Sequence, residues 1–221
     1  MRQIKAKKRS VVFSFSDLIF PSDKLGHVAV VLSDLCKTGD VIRLEKGAYY
    51  KPCDTSHNPC LAEHAIVTYI TSKHKGYVTG HYAYNQLGLT QGRSPAITIA
   101  SSRPVRRMEI NGLKFFFVKT YVNNPSVKDV GLVYILDAIK DIKMIPGRTV
   151  QDVYDAIKSS HIKELSPKRM ERLVCLSQKY PPRVRKILGD MLDDLREGAL
   201  RDRVVQSLCP TTRYVQHYTK S

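Results

Sequence analysis

The chain has 221 residues, of which 43% are apolar, enough for one large domain or two small ones with a core. Its 36 lysines and arginines outnumber 20 acidic residues and give a formal net charge of +16, a balance typical of proteins that bind polyanions. Nucleic acid is therefore the leading expected partner, and disorder is excluded as the overall state.

The positive charge is spread along the chain, since segments 1–52, 53–125 and 126–221 each contribute five or six of the excess charges. No stretch approaches the roughly 18 consecutive apolar residues that a membrane span requires, and no signal-peptide core follows the basic start. We therefore expect a cytoplasmic protein without a membrane partner, whose five cysteines stay reduced.

The N-terminal quarter has the pattern of a small helical domain closed by a hairpin. A short helix is expected around Leu18, and the spacing of apolar residues predicts a second helix over 24–38. Short β-prone runs then predict two strands, 41–44 and 48–50, around a glycine turn. This order predicts a winged helix-turn-helix DNA-binding domain over residues 1–52.

Candidate DNA-binding residues follow from that geometry. The second helix would probe the major groove, the wing would contact phosphates, and a basic N-terminal arm would add counterion-releasing contacts. The protein could bind as a monomer on each repeat or as a dimer on an inverted repeat. The residues expected at the double-stranded DNA are Lys7, Lys8, Arg9, Lys24, His27, Ser33, Arg43 and Lys46.

The rest of the chain predicts a mixed α/β unit over 53–125 and a mainly helical part over 126–221. The dipeptide Asn111-Gly112 between two β-prone runs predicts a hairpin, because both central residues of its turn need positive φ. The elements expected up to the hairpin are helices at 61–74 and 81–87 and strands at 96–100, 105–110 and 113–119.

Four helices are predicted after residue 126, and the segment 198–221 stays unassigned. The first, from Val130, is expected to reach Pro146, and the next is capped by Thr149. Ser166-Pro167 and Pro181-Pro182 open the other two. The expected class is α+β, with a winged helix-turn-helix, a mixed α/β unit containing a β-hairpin, and a C-terminal helical bundle.

Three segments resemble the AbiEi-like antitoxins, including a related domain family of unknown function. Residues 39–52, GDVIRLEKGAYYKP, are similar to the wing of that family, and residues 79–91, TGHYAYNQLGLTQ, are similar to its central signature. Residues 179–189, KYPPRVRKILG, resemble its C-terminal helical region. The resemblance spans roughly residues 10–195, and the central signature is its most specific part.

The resemblance implies a bacterial antitoxin of a type IV toxin-antitoxin, or abortive-infection, system. Its winged domain would bind promoter DNA and repress its own operon, while residues 53–221 would counteract a nucleotidyltransferase-like toxin without requiring a stable complex. The family tends to carry basic or polar residues on the probing helix, where this chain has Ala29 and Val30, so base readout by that helix stays open. The surface expected to serve the antitoxin activity comprises His81, Tyr84, Asn85, Arg103, Arg106 and Arg107.

Other chemistries have weaker support in the sequence. The separation of Cys53 and Cys60 is wider than the close pairs of structural zinc sites, so no metal is expected at Cys53, His57, Cys60 and His64. His81 lacks a companion nucleophile or a phosphate-loop motif, so we expect neither an enzyme nor a cofactor.

The arginines at 103, 106 and 107 are expected to point outward together, either gripping an anion or forming a solvated turn. The alternative function is a protein- or RNA-interaction module without sequence-specific DNA binding.

Overall fold

The computed structural model describes residues 4, 11–21, 24–52, 59–209, 214 and 218–219, without the side chains of 16, 25 and 59–62. Helices and two small sheets make up the described part of the chain, which confirms the α+β class. The chain folds into two compact units. The first unit comprises the described residues of Met1–His74 and Met108–Lys114, and the second comprises those of Lys75–Arg107 and Phe115–Ser221.

The first unit begins with a three-stranded antiparallel sheet of order β1-β3-β2. The two predicted strands around the glycine turn are confirmed, and β1 is an additional strand that the sequence did not indicate. Its elements are β1 (Val12–Ser14), a 3₁₀ turn (Phe15–Asp17), α1 (Leu25–Lys37), β2 (Ile42–Glu45), β3 (Ala48–Tyr50) and α2 (Pro59–Lys73).

The short helix expected around Leu18 lies earlier in the chain, as the 3₁₀ turn. The Ser14 N–H donates a hydrogen bond to Asp17 Oδ2 at 2.6 Å, which closes a capping box one turn ahead of Leu18. Leu18 itself has extended backbone and is buried with Phe13, Val28 and Leu32 in the core of this unit. Leu18 therefore anchors the end of the 3₁₀ turn in this core.

A four-stranded sheet of order β4-β5-β7-β6 follows, with β4 antiparallel and β7 parallel to β5. Asn111 and Gly112 have φ of 50° and 76°, so the predicted hairpin between β6 and β7 is confirmed with the turn conformation expected. The elements up to this hairpin are β4 (Tyr77–Thr79), α3 (His81–Gln86), β5 (Ile97–Ser101), β6 (Arg106–Ile110) and β7 (Leu113–Lys119).

The C-terminal part is helical as expected, although one boundary differs. The helix from Val130 ends at Lys140 rather than at Pro146, because the chain leaves the helix in a turn that begins at Asp141. The elements are α4 (Val130–Lys140), α5 (Val150–Ile157) with a π-helical turn (Lys158–Ile162), α6 (Pro167–Ser177), α7 (Pro182–Asp194) and α8 (Gly198–Val205).

The core of the second unit is formed mainly by apolar residues of α4 to α8. Leu136, Tyr154, Leu173 and Leu188 are completely buried in it. None of the helices in the described part of the chain is long and apolar enough to cross a membrane.

Candidate functional site

Helix α1 carries a weakly charged exposed face. Leu32 and Val28 point into the core, which leaves the opposite side of the helix accessible. The exposed side chain of Val30 is 58% accessible, and Asp34 and Lys37 neutralise each other at 3.1 Å. The expected groove-facing residues Lys24, His27 and Ser33 are all exposed, together with Ala29 and Val30.

Lys24 and His27 also border a small cleft. The cleft has a volume of about 170 Å³, and its other lining residues are apolar: Ile4, Phe20, Val28 and Val31. The cleft therefore lies where α1 meets chain that precedes it.

The β2–β3 hairpin presents the two other candidate cations. Arg43 and Lys46 are both exposed, Arg43 opposite Tyr49 in the register and Lys46 in the turn. Gly47 completes this turn with φ of 83°, a conformation that favours glycine. Both cations therefore lie on the hairpin, available to a polyanion.

Glu45, which precedes the turn, is engaged by helix α2. It accepts a hydrogen bond from the Tyr69 hydroxyl at 2.5 Å and forms an ion pair with Lys73. Partial burial opposes ionisation of Glu45, but the hydrogen bonds from Lys73 and Tyr69 outweigh it and hold the pKa of the carboxyl below its usual value. This contact is not predictable from the sequence, because nothing in the spacing of these residues brings them together.

The residues expected to serve the antitoxin activity do not all lie on the protein surface. Tyr84 is 5% exposed and donates its hydroxyl hydrogen to Asp141 at 2.8 Å, so it belongs to the core of the second unit. Asn85 is exposed and bonds to the Gly92 carbonyl at 3.0 Å. His81 is half-buried, and its Nδ1 has no hydrogen-bond partner among the described residues.

Contrary to expectation, Arg106 and Arg107 do not point in one direction. The Arg106 guanidinium lies 4.8 Å from the ring centroid of Phe117, and that of Arg107 lies 5.6 Å from Phe116. Neighbouring strand residues face opposite sides of a sheet, so the two arginines stack on opposite faces of the hairpin. Arg103 is exposed in the turn before them.

A buried polar cluster in the second unit was not predicted. Asp137 of α4 accepts hydrogen bonds from the hydroxyls of Thr79 at 2.6 Å, Tyr77 at 3.0 Å and Tyr180 at 2.9 Å. These three donors come from β4 and from the segment that precedes α7. The carboxylate therefore joins three parts of this unit.

The Asp137 cluster is closed to a substrate. Asp137 is only 3% exposed, and desolvation raises the pKa of its carboxyl above the usual value although the hydroxyl donors and Lys140 act in the opposite direction. Burial and the neighbouring carboxylate likewise raise the pKa of Tyr180. The arrangement holds structure in place and offers no accessible reacting group.

Some predicted residues fall outside the described part of the chain. These are Lys7, Lys8, Arg9, Cys53 and His57, together with the side chain of Cys60. His64 is exposed on α2. Among the side chains that the structure describes, no group of three or more metal-binding residues occurs, and no disulfide links Cys36, Cys175 and Cys209.

Comparisons with known proteins add no relative to this description. A scan against protein-family models, a search of curated proteins and a search of solved structures each found no match to this chain.

Proposed function

We propose that the protein is a bacterial antitoxin and transcriptional autorepressor of a type IV toxin-antitoxin operon, with a winged helix-turn-helix at its N-terminus. The observation that carries the proposal is the order of elements in the first unit. A strand and a short helical turn precede helix α1, and a β-hairpin then completes the sheet β1-β3-β2. This is the order in which a probing helix is followed by a wing.

The distribution of charge supports contact with DNA phosphates through the wing. Arg43 and Lys46 are exposed on the β2–β3 hairpin, and the whole chain carries a formal charge of +16. Phosphate contacts supply affinity and fix the orientation of a protein on DNA, while base contacts supply specificity. On α1, His27 and Ser33 are the polar residues placed to make base contacts.

The antitoxin activity rests on the resemblance of residues 79–91 and 179–189 to the AbiEi-like family. In this proposal the second unit counteracts a nucleotidyltransferase-like toxin, and a stable complex is not required. Asn85, Arg103, Arg106 and Arg107 are exposed candidates for that activity. Tyr84 would act only as a core residue.

Titration of the full-length protein against a labelled duplex of its own upstream region tests DNA binding, with a scrambled duplex beside it at two salt concentrations. Preferential binding of the native duplex, weakening as salt rises, is expected because phosphate contacts release counterions. Equal affinity for both duplexes would contradict sequence-specific repression.

A second candidate function is docking to a protein. The exposed centre of α1, with Val30 at 58% accessibility and Ala29 beside it, favours an apolar partner over DNA bases. Val30→Ser separates the two candidates. If α1 reads a DNA groove, affinity for the upstream duplex should be unchanged. If α1 docks to a protein partner, affinity for that partner should fall.

A further inference from the structure

Glu45 connects the wing to helix α2 through two side chains of that helix. Its carboxylate accepts a hydrogen bond from the Tyr69 hydroxyl at 2.5 Å and pairs with the Lys73 ammonium. Tyr69 and Lys73 are four residues apart and so share one face of α2. The Lys73 Nζ lies 5.7 Å from the centroid of the Tyr69 ring, which brings the two donors together.

The wing turn is held a second time by its backbone. The Phe15 N–H donates a hydrogen bond to the Gly47 carbonyl at 3.0 Å. Glu45 and Ala48 are paired across the hairpin, so the turn between them contains only Lys46 and Gly47. A two-residue turn fixed on both sides restricts the backbone that carries the exposed Lys46.

We propose that Glu45 is a positioning residue for nucleic-acid binding: through Tyr69 and Lys73 it holds the wing turn, and so sets where Arg43 and Lys46 meet phosphates. This inference rests on the proposed function. Electrostatics alone makes the opposite prediction, since a carboxylate beside a polyanion is repelled and its removal should raise affinity. The sign of the effect therefore separates positioning from simple charge.

The first test compares full-length variants on the labelled upstream duplex. Glu45→Gln and Tyr69→Phe should each weaken binding about three- to tenfold, because a charge-assisted or hydroxyl contact that orders the wing is lost. Glu63→Gln is the matched control, since Glu63 is an exposed carboxylate on α2, the helix that carries Tyr69 and Lys73. Unchanged or tighter binding by Glu45→Gln would overturn the inference.

The second test needs no DNA. The Phe15 amide bonds to the wing turn, and the Thr38 amide bonds to Asp34 at the end of α1. In Glu45→Gln, hydrogen exchange of the Phe15 amide should accelerate about fivefold or more while that of Thr38 stays constant. Equal exchange of Phe15 in wild type and variant would overturn the inference. A wild-type protein that binds no duplex would overturn the proposed function instead, and Phe15 exchange would then decide alone whether Glu45 holds the turn.

Discussion

Asp137 illustrates how one side chain can organise distant parts of the second unit. Two of its hydrogen-bond donors belong to β4 and the third, Tyr180, precedes α7. A buried carboxylate is expensive to desolvate, and its hydroxyl donors offset part of that cost. Removing the carboxylate alone would leave three buried hydroxyls without their acceptor.

We therefore predict that Asp137→Ala lowers the free energy of unfolding by about 3 kcal/mol, because several buried donors lose their partner at once. Asp137→Asn keeps the shape and one acceptor oxygen, so its cost should be smaller. Urea denaturation of the purified variants, followed by circular dichroism, measures both. Equal stability of Asp137→Ala and wild type would contradict a structural role for the cluster.

The difference in stability between wild type and Asp137→Asn should depend on pH. Burial raises the pKa of Asp137 above its usual value of 3.8, so folding favours the protonated form. The stability that this site contributes is present below the pKa of the unfolded chain and is lost as pH rises through the folded pKa. The excess in free energy of unfolding of wild type over Asp137→Asn should therefore decrease as pH rises from about 4 towards neutrality. An increase of this difference with pH would contradict the prediction, because it would mean that the hydroxyl donors lower the pKa of Asp137 by more than burial raises it.

Single residues differ in how far their sequence predicts their environment. The predicted strand over 105–110 already implies that Arg106 and Arg107 face opposite sides, because side chains alternate between the two faces of a strand. The partners of Asp137 could not be found in this way. They lie far away in the sequence at Tyr77 and Tyr180, and only the assembled fold brings them together.

At the scale of elements, the N-cap residues of α5 and α6 differ in whether their side chains make a capping hydrogen bond. The Asp152 N–H donates to Thr149 Oγ1 at 3.1 Å, and the Thr149 N–H donates to Asp152 Oδ2 at 3.0 Å, a complete capping box at α5. Ser166 at α6 occupies the same position but its side chain makes no capping hydrogen bond.

We predict that Thr149→Ala destabilises the protein by about 1 kcal/mol, because a first-turn N–H loses its acceptor. Ser166→Ala removes a hydroxyl at an equivalent position and should cost less than about 0.5 kcal/mol. Thermal unfolding of the two variants under identical conditions measures the difference. A cost at Ser166 equal to that at Thr149 would contradict the assignment of the capping contacts.

Helices were more predictable from this sequence than short strands. Capping residues and apolar spacing are local signals, and they placed α5, α6 and α7 at their observed starts. The strands β1 and β4 have three residues each, too few for an alternating pattern, and they form because β3 and β5 supply hydrogen-bonding edges later in the chain. Their existence depends on partners that local sequence does not reveal.

At the scale of the whole molecule, the candidate residues for the two proposed activities fall in different compact units. Arg43 and Lys46 belong to the first unit, while Arg103, Arg106 and Arg107 belong to the second. The net charge of +16 is shared along the chain, so charge alone does not assign an activity to either unit. Substitutions confined to one unit can therefore test whether repression and toxin counteraction are separable.

We predict that Arg43→Ala combined with Lys46→Ala abolishes repression of a promoter reporter and reduces the slope of log affinity against log salt by about two, one for each lost phosphate contact. Growth rescue of cells that co-express a nucleotidyltransferase-like toxin should persist, because that activity is proposed for the second unit. Lys163→Ala with Lys168→Ala is the matched control, as both are exposed lysines of the second unit and the charge change is identical. Equal loss of repression in the control would assign DNA binding to overall charge rather than to the wing, and loss of rescue in the wing variant would contradict separable activities.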